Sequence, residues 1–167
     1  RLFLSGPHLD GSPPAYPNDA YVVRDDVEAI RQVNEVADQG STVIKIYFRT
    51  PPGMIKAISD AAHKRGIPVT GHLEITEAKH AIESGMDGIE HITSFGLSLT
   101  PKREAEKYRQ SMLADNNYRK QGRYESWSKI DLNSPAADSL TRFLVKKGTF
   151  VSPTLAIFEY QPGSGIV

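Results

Sequence analysis

Residues 65–72 read RGIPVTGH and residues 84–92 read SGMDGIEHI. Each stretch begins with a glycine that closes a helical segment, continues as a short apolar run and carries a histidine at or near its tip. The same order recurs at 39–47 (QGSTVIKIY), with Lys45 inside the run, and at 147–155 (KGTFVSPTL). Four repeats of helix, glycine, apolar strand and polar tip predict a parallel sheet with helices between its strands. The runs are continuously apolar rather than alternating, which suits strands covered on both faces. Sheets of this kind keep their chemistry at one end of the strands, so Lys45, His72 and His91 are predicted to emerge together there.

Working outward, residues 1–5 (RLFLS) read as a strand. Residues 6–20 (GPHLDGSPPAYPNDA) read as a Gly/Pro/Asp/Asn-rich loop, too long for a plain connector. A helix is predicted over 25–39, with Asp25 and Glu28 spaced as a capping box, Val27, Ile30, Val33 and Ala37 as its apolar face, and Gly40 as its stop. A second opens on Pro51 and Pro52 and runs through Met54, Ile58, Ala61 and Ala62 to Gly66. A short helix covers 76–84. Another covers 134–147, with Ser134 as N-cap, Pro135 in its first turn, and Leu140, Phe143 and Leu144 facing inward. Further strands fall at 42–48, 67–72, 88–92 and 149–155. The fold class is therefore α/β, with about five parallel strands and about four core helices, where a closed (β/α)8 barrel needs eight of each. Residues 100–132 break the rhythm. They are charged, aromatic and poor in glycine, and read as a helical insertion after the His91 strand, either a lid over the site or an exposed hairpin.

The chain has 167 residues, enough for a single domain spanning 1–167 with a true core. Lys+Arg and Asp+Glu are both 20, so nothing argues for nucleic acid or an anionic membrane as partner. There is no cysteine, which removes disulfides and thiolate metal sites. No apolar run reaches the ~18–20 residues of a membrane span, and no stretch reads as a signal peptide, so none is expected. A soluble protein is expected, cytoplasmic or exported. The chain starts at Arg1 and ends on QPGSGIV, so it is expected to be an excerpt of a longer protein.

His72 and His91 lie one βα unit apart. Adjacent strands sit about 4.8 Å apart, so two imidazoles at equivalent strand ends can share a divalent ion such as Zn²⁺. Each could equally be a core histidine bonded to backbone. Lys45 stands inside an apolar strand, where an amine is costly unless paired or modified. It can snorkel to solvent, form a Schiff base, or be carbamylated and bridge two metals. His63 and His80 lie in helices and are expected at the surface. His8, at the start of the long loop, is a substrate or metal candidate. Tyr47 and Thr154, near strand tips, join it as substrate-binding candidates. Asp10 and Glu74 lie near the same rim and are candidates to orient the imidazoles. No GxSxG, P-loop or GxGxxG motif is present.

The pieces VIKIY, AAHKRGIPVTGH, SGMDGIEHI and FVSPTLAIFE resemble, in order and spacing, the central part of the metal-dependent amidohydrolases. The likeness is to the imidazolonepropionase-like and prolidase-like branch and spans nearly the whole chain. It implies a TIM-type (β/α)8 barrel of which this chain supplies roughly strands three to seven. By position Lys45 matches the strand-four lysine, often carbamylated to bridge two zinc ions. His72 and His91 match the ligands of strands five and six. The resemblance thus assigns Lys45, His72 and His91 to metal and catalysis, with Zn²⁺ or another divalent metal, binuclear in the complete protein. It implies hydrolysis of an amide or related C–N bond, in a small amide, dipeptide or lactam, through a metal-activated hydroxide. The family's strand-one His-x-His pair and strand-eight aspartate have no counterpart here, so the isolated chain is expected to be inactive. The residues themselves leave two other functions open: a lyase with Lys45 as Schiff-base nucleophile, or a non-catalytic barrel remnant. The expected partner is a small-molecule substrate, with no nucleic acid and no membrane. The open sheet edges of a partial barrel also predict pairing with a second copy or with the missing barrel segments.

Overall fold

The structure is a computed structural model and describes residues 2–155. Helix α1 (Asp26–Asp38) starts where Asp25 accepts the Glu28 N–H at 2.8 Å. Glu28 reaches back to the Arg24 N–H at 3.0 Å, one residue before the position that a capping box would serve. Helix α1 packs on helix α2 (Pro52–Lys64) through Ala29, Gln32, Val33 and Val36. Its buried face differs from the one expected, because Val27 is 79% and Ile30 41% exposed. At roughly 100° per residue, Val27 falls on the far side of the helix from Ala29 and Val36. Apolar residues lie on both sides of α1, and tertiary packing selects the row that faces α2.

Six parallel strands form one sheet in the order β2-β1-β3-β4-β5-β6. They are β1 (His8–Asp10), β2 (Ala20–Val22), β3 (Ile44–Ile46), β4 (Val69–Gly71), β5 (Gly88–Glu90) and β6 (Phe150–Ser152). Two expectations are corrected here. Residues 2–5 form no strand, although the Leu4 carbonyl accepts the Thr42 N–H and the Leu4 N–H donates to the Thr42 hydroxyl. The stretch read as loop instead holds β1 and the start of β2, so the described strands number six rather than five. Residues 11–19 alone join the parallel pair β1 and β2, a shorter link than the usual dozen or more residues. Asp10 makes that link possible. One oxygen of its buried carboxylate accepts the Gly11 and Arg49 N–H groups at 2.9 Å, and the other accepts the Ala15 N–H at 3.0 Å.

Leu9, Ile44, Ile46, Val69 and Ile89 pack outward from the strands against Val33, Val36, Ile55, Ile58 and Ala81 of the helices. Alternation along the strands sends Lys45, Thr70 and Gly88 to the opposite face, and these sit in lateral register. Gly88 leaves room for a neighbour: a Cβ there would lie 2.0 Å from the exposed Phe150 ring, which would have to swing aside. Helix α3 (Ala78–Glu83) joins β4 to β5. After β5 come a 3₁₀ turn (Ile92–Phe95) and a short helix, α4 (Gly96–Leu99), then α5 (Lys102–Ala114) and α6 (Tyr118–Trp127). Arg49, just beyond β3, caps the C-terminal end of α5 by donating to the Met112 and Leu113 carbonyls at 3.1 and 2.8 Å, where a cation is favoured. Asn116, in the α5–α6 turn, donates to the Pro13 carbonyl at 3.1 Å. The α5–α6 pair is thereby tied to both β3 and the 11–19 loop. Helix α7 (Pro135–Lys147) is capped by Ser134 as expected and ends at Gly148, whose φ is +66°. Among the described residues no helix is long and apolar enough to cross a membrane.

Candidate active site

Tyr47, His72 and Glu90 stand side by side at the ends of β3, β4 and β5, one step beyond the Lys45 row. The rings of Tyr47 and His72 lie 4.8 Å apart, as do those of His72 and His91, and His8 lies 4.7 Å from Tyr47. The residues predicted to converge therefore do so, and His8 completes a row of four rings. His72 is only 5% exposed, and neither of its ring nitrogens has a hydrogen-bond partner. The Nε2 of His8 is likewise buried and unpartnered. His63 and His80 lie at the surface, as their helical positions predict, and His63 is 2.8 Å from Asp87.

Alternation along β5 would send Glu90 and His91 to opposite faces. His91 escapes this through a φ of +64°, a conformation that L residues other than glycine rarely adopt, and its ring turns back beside His72. Its Nδ1 lies 2.8 Å from Thr154 Oγ1. The Thr154 hydroxyl is also 3.3 Å from the Ser152 carbonyl, and when it donates there Nδ1 carries the proton and Nε2 keeps its lone pair. Burial, then the nearby His72 and Lys45 side chains, pull the His91 pKa down to about 4, which keeps the ring neutral at physiological pH. His8 is lowered for the same leading reason, burial, followed by Lys45. The strain at position 91 has a measurable consequence. His91→Gly is expected to be more stable than His91→Ala by about 1 kcal/mol in urea unfolding, because glycine alone relieves a positive φ. Equal stabilities would show that the backbone relaxes without its side chain.

Three charged contacts complete the site. Lys45 forms an ion pair with Glu90, whose carboxylate is also 3.8 Å from His91 Nε2. Period-two alternation from Gly88 places Glu90 on the Lys45 side, so a signal for this pair is present in GIEH. Glu74 is buried 3.3 Å from His72 Nε2 and pairs with Arg123 of α6 at 2.6 Å. Arg119 of α6 donates to the hydroxyls of Tyr16 at 2.6 Å and Tyr47 at 3.3 Å. Nothing in the sequence says which side of α6 turns inward. Glu74 stands against an imidazole as expected. Asp10 does not, because its carboxylate is committed to backbone N–H groups. Burial pushes the Tyr47 hydroxyl up to about 12, so it is a neutral group, and since it accepts from Arg119 its own proton is free to be donated.

These residues line two adjoining clefts that share Tyr16 and Tyr47. One, about 250 Å³, is bounded by His72, His91, Arg119 and Arg123. The other, about 570 Å³, is bounded by His8, Lys45 and Asp19. A separate groove of about 440 Å³ between α3 and α5 is lined by His80, Glu77 and Arg109. It lies away from this row and holds none of the buried unpartnered side-chain atoms.

The donors present suit part of a metal site. His72 makes no hydrogen bond at either ring nitrogen, its Nε2 lying 3.3 Å from Glu74, the neighbouring His91 ring is neutral, and imidazole is a common ligand of divalent ions. Thr154 orients His91 in the way that outer groups orient a ligand. Among the described residues no group of three or more His, Cys, Asp or Glu side chains is placed to hold an ion. The fit is to two positions of a coordination sphere, with Lys45 occupied by Glu90.

No protein-family model matches the sequence, and no curated protein matches it. Solved structures do. The chain superposes on bottromycin amidohydrolase with a TM-score of 0.51 and 24% identity, over 69% of this chain and 26% of that one. It superposes on a Xaa-Pro dipeptidase, solved with methionine in its active site, with a TM-score of 0.52 and 19% identity, over 92% of this chain and 47% of the other. An uncharacterized protein gives a TM-score of 0.50 at 18% identity, over 92% and 48%. The chain spans less than half the length of each of these structures. At such identities the likeness is one of fold: this chain has the α/β architecture of part of a TIM-type barrel.

Proposed function

We propose that this chain carries part of the active site of a metal-dependent hydrolase acting on an amide or related C–N bond in a small amide, dipeptide or lactam. One observation carries the reading: the buried His72 ring makes no hydrogen bond at either nitrogen, with only Glu74 near its Nε2 at 3.3 Å, and it lies beside the His91 ring. Buried polar atoms without partners are costly, and a ligand to both rings would remove that cost. The shared architecture with an amidohydrolase and a dipeptidase supports the same reading.

In this proposal His72 and His91 hold a divalent ion, Zn²⁺ or a relative, and Lys45 joins them. An ion bound there would polarise a substrate carbonyl and make water nucleophilic near neutral pH. Tyr47, held by Arg119 with its proton free, donates to a substrate oxygen in the cleft. His8 lines the adjoining wall, and Thr154 keeps His91 Nε2 aimed inward. A carbamate or a Schiff base at Lys45 each requires Nζ to leave Glu90, and a carbamate would also be repelled by it. The chain alone is expected to show no hydrolysis, since its described residues supply only two imidazoles and one engaged lysine.

Cobalt(II) titration of the 167-residue chain, followed by visible absorption, tests the reading. Binding is expected, weakened at least tenfold by His72→Ala and by His91→Ala and unchanged by the surface variant His63→Ala. An absent signal, or one that survives both site variants, would remove the metal role. Trapping of a carbonyl compound by borohydride at Lys45 would favour a lyase instead.

A further inference from the structure

The outward row of α1 is explained neither by packing within the chain nor by the strand-end site. Val27 and Ile30 both stay exposed there. At roughly 100° per residue they stand about 60° apart around the helix, outside the row that Ala29 and Val36 bury. Both are β-branched, whereas a solvent-facing helix position with nothing to pack against favours straight-chain residues. Ile30 overlooks a groove of about 440 Å³ between α1 and α2, bounded by Asp26 and Asn34 on one side and by Ala57, Ala61 and Lys64 on the other. The two helices each lead from one parallel strand to the next, so they run side by side in the same direction. Arg65, at the end of α2, fixes their register by donating to Asn34 at 3.3 Å and Asp38 at 2.5 Å near the end of α1. Asp26 therefore stands at the head of the groove and Lys64 at its tail. Arg65 is engaged by Asp38, and Asp60 by Lys56 at 2.8 Å. Among the described residues neither Asp26 nor Lys64 forms an ion pair, and Lys64 acts on Asp60 only from beyond that distance.

We propose that the α1–α2 groove is the contact between two copies of this chain, related by a two-fold axis across the middle of both helices. The inference is independent of the hydrolase reading. Such an axis reverses the helix direction in the second copy and lays the head of one groove over the tail of the other. Asp26 then faces Lys64 of the second copy, and Lys64 faces its Asp26. A two-fold contact has to be complementary to itself, and opposite charges at the two ends of an apolar middle meet that condition. Ile30 lies near the axis and packs against its own counterpart, and Val27 is covered beside it. Completion of the sheet would not serve instead. Helices α1 and α2 pack over β3 and β4, inside the open edges at β2 and β6, so strands added at either edge leave the groove uncovered.

Sedimentation velocity of the 167-residue chain tests the proposal, and a concentration-dependent equilibrium between monomer and dimer is expected. Asp26→Lys and Lys64→Glu each set like charges against one another at both ends of the contact, and each is expected to raise the dimer dissociation constant at least tenfold. Mixed in equal amounts, the two variants are expected to form a dimer again. In the mixed pair the two altered residues face each other with opposite charge at one end, and the two unaltered ones do so at the other. Both positions are exposed, so the core is left untouched. Should a variant nonetheless fail to fold, carbodiimide coupling of the unaltered chain mixed with an isotope-labelled copy decides, and should join Asp26 to Lys64 between copies. A chain that stays monomeric at every concentration would overturn the proposal. A dimer indifferent to both charge changes would also overturn it and move the contact to the sheet edges. Variants that fail to recombine, or a dimer without the Asp26–Lys64 cross-link, would do the same.

Discussion

Arg123→Met is expected to destabilise the protein by about 3 kcal/mol at neutral pH, the usual cost of stripping one partner from a buried ion pair. The asymmetry of the pair sets this size. Glu74 is 2% exposed, whereas the Arg123 side chain reaches solvent and would recover hydration if freed. Removing the cation leaves a buried carboxylate with the His72 ring as its one remaining neighbour within ion-pair distance among the described residues. The pH dependence follows from the sign of the Glu74 shift. Burial alone would raise its pKa, but His72 and Arg123 outweigh burial and hold it below the ordinary value of 4.5. A depressed carboxyl contributes stability above its unfolded pKa, and that contribution is lost as pH falls through the folded value. In Arg123→Met the part of the depression that Arg123 supplies disappears and the part that His72 supplies remains. The gap between the two proteins should therefore be widest near pH 7 and narrow as pH falls below about 4, once the carboxyl is neutral in both. Urea unfolding at the two pH values checks this. A gap under about 1 kcal/mol, or one indifferent to pH, would mean that Glu74 finds another partner. The double change Glu74→Gln with Arg123→Met should recover most of the loss, because it leaves no buried charge behind.

What can be read from the sequence divides along physical lines. The caps at Asp25 and Ser134 and the glycine stops at Gly40, Gly66, Gly85 and Gly148 depend on a few neighbouring residues, and each falls where expected. Strands β3 to β6 are legible because their apolar runs are long compared with the three residues that finally pair. Strand β1 is not. It is a three-residue segment whose residues flanking Leu9 are His8 and Asp10, set in a stretch rich in turn formers. Its strand character comes from pairing on both sides and from the Asp10 bonds, none of which is local. The site shows the same division. Lys45, His72 and His91 can be placed by counting along the repeat. The identity of their partners cannot, because Glu90 answers Lys45 across 45 positions and Arg123 answers Glu74 across 49. The turn of the His91 ring into the cleft depends on a backbone conformation that no propensity would suggest for histidine.

Asp10→Ala is expected to cost at least about 3 kcal/mol, since three backbone N–H groups lose their acceptor and each unsatisfied buried group costs about 1–3 kcal/mol. The loss would be a large fraction of the ~5–15 kcal/mol that holds a domain together. Asp10→Asn separates the terms. Its side-chain oxygen can still accept from Gly11 and Arg49, but its amide would face the Ala15 N–H, donor against donor, so it should fall between the alanine variant and the unaltered protein. Here the pH dependence runs opposite to that of Glu74. Burial raises the Asp10 pKa above its ordinary 3.8, and the three N–H bonds and Arg49 only partly oppose it. A raised carboxyl gives its contribution below the unfolded pKa and loses it as pH rises through the folded value. The advantage of the unaltered protein over Asp10→Asn should therefore shrink as pH rises above about 4, while the advantage conferred by the Glu74–Arg123 pair grows. The two carboxylates also differ in what they hold. Asp10 fixes the 11–19 loop that carries Tyr16, and through the Arg49 N–H it fixes the segment just after Tyr47, so its loss should loosen both hydroxyls that hold Arg119.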